Sequence, residues 1–372
     1  MITSTHSVTN YRADLFPLLA SSEGFGKPAN RPGLPYFDSV GKATIGYGFN
    51  IEDGNVARLV LTQMGILAGK TDSQVLQIES DLRTAINAGR GGPLALEASL
   101  DAFAQSHGVA KFRLTDDPPG QGQGRTIFDQ ILIGVPNGSI TGIAGSQIGV
   151  EGKEVRLNNN LQLQNASDMN TREYEALMSL FYNAELLVAS DSALVRAVLS
   201  DNRAEAWYEI RYRSNGGQSQ SLGIANRRID ESNLFSLYDN PGQGVGEAEA
   251  KEVLRMYTTH REEILAYESQ FSTLFAPSGT ATIQFQLIGA ETTLIALYAE
   301  GRTIDGEVLV GKDEVFPGDI IEGTANGDLL FGERGNDVLR GGAWTDVLLW
   351  GRRDRYALRG DRGRSAQGRS RR

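Results

Sequence analysis

The chain has 372 residues, 40% of them hydrophobic and 22% charged, which is enough apolar material for one large domain or two and too much for a wholly disordered chain. It contains no cysteine, which excludes disulfides, thiolate metal sites and cysteine nucleophiles, and its three histidines (His6, His107 and His260) are far apart without metal-ligand spacing. The net charge of −10 is uneven: residues 351–372 carry nine Arg against two Asp, a local +7 that leaves the first 350 residues at −17, an acidic body unsuited to binding nucleic acid.

No apolar run approaches the roughly 20 residues a membrane span requires, so none is expected. The stretch Leu15–Ala20 after Arg12 is too short for the core of a secretory signal, so any export is expected to use a route without a cleaved N-terminal signal. Asp14 can cap a short helix through Ser22, with Pro17 tolerated in its first turn and Gly24 as a stop. Residues 27–36 read as a loop, and Tyr36–Asn50, punctuated by Gly41, Gly46 and Gly48, as a small hairpin sheet. Helical patterns cover 54–67 and 71–89, the second with an apolar stripe at Val75, Leu76, Ile78, Leu82 and Ile86.

From 108 to 166 glycines and prolines surround β-prone pieces such as Ile127–Val135, and this stretch reads as an insertion between helices. Asn170, with Glu173 three residues on, is a helix N-cap candidate for a stripe at Tyr174, Leu177, Leu180, Phe181, Ala184, Leu187 and Val188. Further helices are predicted at 192–200, 203–213, 223–238 and 247–270. Residues 280–310 alternate polar Thr282, Gln284 and Gln286 with apolar Ile283, Phe285 and Leu287, which predicts strand. The reading is therefore an α+β chain. A mainly helical domain with a small hairpin sheet covers 1–272, including the 108–166 insertion. A β-rich linker at 273–320, a repeat module forming a short parallel β-roll at 321–358 and an Arg-rich tail at 359–372 follow.

Two carboxylates bracket the loop before the hairpin. Glu23 ends the first helix and Asp38 enters the hairpin, with Thr44 six residues later. Glycoside hydrolysis needs such a pair, one carboxylic acid to protonate the leaving oxygen and one carboxylate to activate water or attack the sugar. Phe25 beside Glu23 offers an apolar setting that would raise the pKa of an acid catalyst. A Glu at a helix end and an Asp in a turn are also ordinary structural residues.

Ser22-Glu23-Gly24-Phe25 followed by Tyr36-Phe37-Asp38-Ser39-Val40-Gly41-Lys42-Ala43-Thr44-Ile45-Gly46-Tyr47-Gly48 resembles the phage-type lysozymes, glycoside hydrolase family 24, the family of the T4 lysozyme. The stretch Glu173–Leu177 running into Leu180-Phe181-Tyr182-Asn183 is similar to that family's central helix, and Gly223–Arg228 ending in Leu234-Phe235 to its Arg-bearing helix. The resemblance implies a muramidase acting on the β-1,4 bond of peptidoglycan. Glu23 would be the acid, Asp38 with Thr44 would activate water, Arg227 would pair with the catalytic Glu, and Asn183 and Asn50 would support the cleft. An inverting mechanism would set the two carboxyls roughly 6.5–9.5 Å apart. In the related pesticin-like proteins an acidic residue stands near the position of Asn50, so the region from Asn50 to Asp53 is an alternative source of the second carboxylate. A catalytically silent wall-binding protein and a chitinase-type glycosidase are the alternative functions.

The nine-residue units Gly323–Phe331, Gly332–Arg340 and Gly341–Leu349 place Asp328, Asp337 and Asp346 at equal intervals, each followed by apolar residues. They resemble RTX repeats, which implies calcium held by these Asp carboxylates and by turn groups such as Gly335 and Asn336, in a secreted protein carried by type I secretion machinery. The repeats are imperfect: Trp344 stands where a turn glycine belongs, and Arg352, Arg353 and Arg355 occupy the following unit. At most one or two weakly held Ca²⁺ sites are expected. The tail is either a ligand for an anionic partner or a plain solvated end.

Overall fold

The structure is a computed structural model that describes residues 7–23, 33–38, 41–115, 121–136, 150–163, 166–216, 220–240, 243–276, 279–314 and 317–351. The chain divides into two compact units, the first formed by 8–170 with 177–190 and the second by 171–176 with 191–372 and the first seven residues.

In the first unit, helix α1 (Tyr11–Glu23) leads to an antiparallel sheet of β1 (Tyr36–Phe37), β2 (Ala43–Ile45) and β3 (Phe49–Asn50), in that order. Gly46 and Gly48 between β2 and β3 take φ of 63° and 76°, and a Cβ on Gly46 would lie 2.9 Å from the Phe49 ring, so this turn requires glycine. Helices α2 (Gly54–Gln63), α3 (Asp72–Ala88), α4 (Pro93–Ser106) and α5 (Gln123–Ile133) follow, then the two-stranded ribbon of β4 (Gly134–Val135) and β5 (Val150–Glu151), and helix α6 (Lys153–Leu161). Helix α7 (Arg172–Asn183) contributes its residues to both units.

The caps explain where several helices begin. Asp53 accepts the Asn55 and Val56 amides at the start of α2, and Thr71 with Gln74 forms a reciprocal capping box on α3. Val75, Ile78, Leu82 and Ile86 are buried along α3 as their spacing predicts, whereas Leu76 is exposed. Helix α1 begins three residues before Asp14, so Pro17 lies in its interior and not in its first turn. The cap of α7 is Thr171, whose hydroxyl accepts the Tyr174 amide, while the Asn170 side chain takes the Tyr11 amide instead.

In the stretch read as a β-containing insertion, the described residues form helix α5, the short β4–β5 ribbon and helix α6, and α5 covers the expected strand Ile127–Val135 as far as Ile133. Ile127, Phe128, Ile131 and Leu132 are buried on one face of α5, a helical spacing that their β-prone composition masked. Phe128 meets Phe16 of α1 at 5.1 Å and Tyr182 of α7 at 5.3 Å between ring centres, and Arg125 lies 4.1 Å above the Phe16 ring. Glu154 of α6 ties α1 down by accepting from Tyr11 and from two nitrogens of Arg12, each 2.5 Å away.

The second unit holds α8 (Ala193–Leu199), α9 (Arg203–Tyr208) continuing into a wide π turn at Glu209–Arg213, α10 (Leu222–Phe235), α11 (Glu247–Gln270) and α12 (Ile283–Tyr298). Helix α12 replaces the strand expected in the 273–320 linker. Thr282 caps it, and Ile283, Leu287, Ala290 and Leu294 are buried at helical spacing, so the brief polar–apolar alternation was a chance feature of a helix apolar on every side. Five short strands follow: β6 (Val308–Val310), β7 (Ile320–Glu322), β8 (Leu329–Phe331), β9 (Val338–Arg340) and β10 (Val347–Leu349). They form two parallel sheets, β6-β8-β10 and β7-β9, so the chain winds as a roll that starts before the repeats recognised in the sequence. The roll packs on α11, where Thr258 accepts the Val310 amide at 3.1 Å, Arg255 donates to the Gly311 carbonyl at 3.0 Å and Lys251 pairs with Glu333 at 3.0 Å. Among the described residues no helix is long and apolar enough to cross a membrane.

Candidate functional site

Asp38 follows β1 and closes the turn into β2. Its amide donates to the Lys42 carbonyl at 2.9 Å, and its carboxylate accepts the Lys42 amide at 2.7 Å. Thr44 pairs with Tyr36 on one side and Asn50 on the other, is 2% exposed, and donates its hydroxyl to the Lys42 carbonyl at 3.0 Å. The hairpin thus brings Asp38 and Thr44 together around the backbone of Lys42, with Asn50 paired to Thr44 across the sheet. The buried Thr44 hydroxyl, bonded to that carbonyl, holds the turn in place. Glu23 closes α1 in the same unit, but its side chain lies outside the described residues, as do Gly24 and Phe25.

The alternative second carboxylate is occupied structurally. Asp53 caps α2, and the Asn50 side chain accepts the Glu52 amide at 2.9 Å. Glu52, which sequence reasoning passed over, accepts the Ala43 amide and Arg90 at 3.0 Å each and Lys42 at 3.3 Å. Burial alone would push the Glu52 carboxyl up, but the Ala43 amide, Lys42 and Arg90 outweigh it and hold its pKa below the ordinary glutamate range. It fastens the hairpin to the end of α3. No sequence signal marked it, because its partners are remote along the chain.

Asn183 is exposed at the end of α7 and donates to the Ser179 carbonyl at 3.3 Å. Arg227 belongs to the second unit, on α10, where its Nε donates to Glu231 at 3.1 Å. Its neighbour Arg228 is buried, bonds the same Glu231 and donates to the Ser214 carbonyl at 2.9 Å. Glu173 pairs with the buried Arg203 at 2.7 Å, and Arg203 also meets Asp239.

The roll sorts its aspartates into two columns. In β8–β10 and β7–β9 the paired strands are one coil of 18 residues apart, Val347 with Leu329 and Ile320 with Val338, so a nine-residue interval alternates sides. On one side the Asp328 carboxylate, fully buried, accepts the Glu307 amide at 2.5 Å and the Thr324 amide at 2.6 Å, while the Asp328 amide donates to Asp346 at 3.1 Å. On the other side Asp337 accepts the Asp319 amide at 2.9 Å, and Asp319 accepts the Lys312 amide at 2.6 Å. Asp305 accepts the Gly327 amide at 2.9 Å. Asp319 precedes Asp328 by nine residues, a spacing that could have revealed it in the sequence.

The glycines of the repeat are cradles for these carboxylates. A Cβ on Gly306, Gly323 or Gly341 would fall 2.1–2.5 Å from an oxygen of Asp328 or Asp346, and one on Gly335 2.8 Å from Asp337. A Cβ on Gly318 would fall 2.1 Å from the Asn336 carbonyl, so Asn336 presents its backbone oxygen to the neighbouring coil. Burial, and then the charge of Asp328, push the Asp346 carboxyl above its ordinary range. Glu307 is pushed up by burial and by Asp328, against the pull of Arg261. Carboxylates next to backbone carbonyls are an oxygen donor set suited to a hard divalent cation such as Ca²⁺. Among the described residues no three or more His, Asp or Glu side chains cluster as a metal site, so any cation here would rely on carbonyl oxygens as well.

Comparison with known proteins adds no relative: no family model, no curated protein and no solved structure matches the chain.

Proposed function

We propose that this chain is a peptidoglycan hydrolase of the muramidase type, with a calcium-binding roll, exported by a type I route. The observation that carries the reading is the hairpin, in which Asp38 and Thr44 converge on Lys42 in the same unit as the helix that ends at Glu23. In this reading Glu23 protonates the glycosidic oxygen while Asp38 takes a proton from the water attacking the opposite face of the sugar. Thr44 acts as a positioning residue, holding the turn that carries Asp38. In the roll, Asp328, Asp337 and Asp346 with neighbouring carbonyls would hold the Ca²⁺, which supplies positive charge to columns of carboxylates.

One observation favours a second reading, a wall-binding protein without hydrolytic activity. The Asp38 carboxylate already satisfies the Lys42 amide, as a purely structural turn residue would. Clearing of purified cell walls and release of reducing ends, compared with soluble chitin oligomers, separate the two readings and also test the chitinase alternative. Wild-type protein should clear walls, and Glu23→Gln should fold and abolish clearing. Full activity in Glu23→Gln would remove Glu23 from the mechanism, and wall binding without reducing ends in the wild type would leave only the binder.

A further inference from the structure

Trp344 is 75% exposed and holds φ of +71°, in the left-handed region that disfavours every side chain except Gly, Asn and Asp. It occupies the place of a turn glycine. The residue four positions into the preceding unit is Gly335, also at positive φ. A large apolar ring three-quarters in solvent, on backbone that resists it, is unfavourable twice over and brings the fold little packing in return.

The surface around Trp344 identifies a ligand. A Cβ on Gly342 would lie 2.0 Å from the Thr324 carbonyl, and one on Gly327 3.1 Å from the Thr345 carbonyl, so the two coils stack in register on both sides of Asn326 and Trp344. Asn326, Ala325, Ala343 and Thr345 are all exposed there. Neither turn segment, 323–327 or 341–345, carries a charged side chain, whereas the turn on the other side of the roll carries Glu333 and Arg334. A neutral surface of one open indole face, with small Ala neighbours and with amide and hydroxyl groups at its edge, complements a sugar ring. The ring's C–H face stacks on the indole, and its hydroxyls bond Asn326 and Thr345. Anionic headgroups and phosphates would instead call for basic side chains here.

We propose that Trp344, with Asn326 and Thr345, forms a glycan-binding platform on the roll that holds the chain on the sugar strands of the wall. The choice of ligand rests on the wall-directed reading above. The test is co-sedimentation of the full chain with purified walls in calcium-containing buffer, comparing wild type, Trp344→Asn and Trp344→Phe. Asn accepts the left-handed backbone without a ring, so Trp344→Asn should melt at or above the wild-type temperature yet lose roughly tenfold or more in wall affinity. Trp344→Phe, which keeps a flat aromatic face, should retain most of the binding. Trp344→Asn sedimenting as well as wild type would overturn the platform whatever the hydrolytic result. Trp344-dependent sedimentation without release of reducing ends would defeat the hydrolase and leave the platform standing.

Discussion

The backbone amide of Asp328 donates to the carboxylate of Asp346, one coil further along the roll, at 3.1 Å. Each coil therefore places a negative charge against the next, and burial together with the charge of Asp328 raises the Asp346 pKa. Asp346→Asn keeps an acceptor for that amide and removes one charge. In chelator the variant should melt at or above the wild-type temperature. In saturating calcium it should lose the metal's stabilisation, on the order of 2–3 kcal/mol at a hundredfold excess over Kd. Scanning calorimetry with and without calcium measures both effects. An equal calcium-induced shift in the two proteins would rule Asp346 out as a ligand.

The buried Arg228–Glu231 pair on α10, with the half-buried Arg227 bonded to the same carboxylate, gives a second prediction. Burial alone pulls the Arg228 pKa down, and Glu231 opposes this. Glu231→Ala leaves two adjacent guanidinium groups short of their shared carboxylate and should cost about 3–5 kcal/mol in urea unfolding. The double variant Arg228→Met, Glu231→Leu should lose markedly less, because it removes the buried Arg228 charge together with its carboxylate and leaves only the half-buried Arg227 without Glu231. Equal losses in the single and double variants would show that packing, not charge pairing, holds this helix.

Much of this architecture is readable where the signal is local. Helix α11 spans the predicted 247–270, and α3 follows its Thr71 box, because caps and apolar periodicity lie within a few residues of what they determine. Helices α5 and α12 were misread because β-branched composition and a short alternation outweighed the spacing of Ile127, Phe128, Ile131 and Leu132 and of Ile283, Leu287, Ala290 and Leu294. The aspartate period was legible, yet Asp319 escaped because the residues before it lack the paired glycine. In the hairpin the candidate residues were visible, but the bonds from Asp38 and Thr44 to Lys42 depend on turn geometry that spacing does not encode.

Glu268 predicts a pH effect in the second unit. It lines an open cavity of about 370 Å³ with Ser269, Ser272, Phe275, Thr282 and Gln284. Burial raises its pKa, and bonds from the Tyr212 hydroxyl at 2.8 Å and the Ile283 amide at 2.6 Å offset this only in part. Between the ordinary glutamate pKa and the raised one, the folded protein holds a proton that the unfolded chain has released. Its contribution is complete below the ordinary value and is lost as pH rises through the raised one. Glu268→Gln keeps an acceptor for both donors and should flatten the stability profile across that window. Urea midpoints measured against pH for both proteins give the comparison, and parallel profiles would contradict the assignment.

Gly152 tests whether 108–166 is an insertion or part of the core. Its backbone has φ −67° and ψ 149°, which alanine adopts without strain, so any cost of Gly152→Ala must come from contacts. The added Cβ would fall 2.2 Å from the Ile133 carbonyl carbon, 2.3 Å from its oxygen and 2.6 Å from the Gly134 amide nitrogen. All three are backbone atoms, which cannot swing aside as a side chain would. Relief therefore requires α5 and α6 to separate, and α6 holds Tyr11 and Arg12 of α1 through Glu154. Gly152→Ala should destabilise the first unit by about 2–4 kcal/mol. Gly54→Ala, where a Cβ meets nothing within 4 Å, is the control and should be neutral or slightly stabilising. A detachable insertion would leave α1–α4 unaffected by Gly152→Ala. An integrated one lowers amide-exchange protection in α1 and α2 together with that in α5.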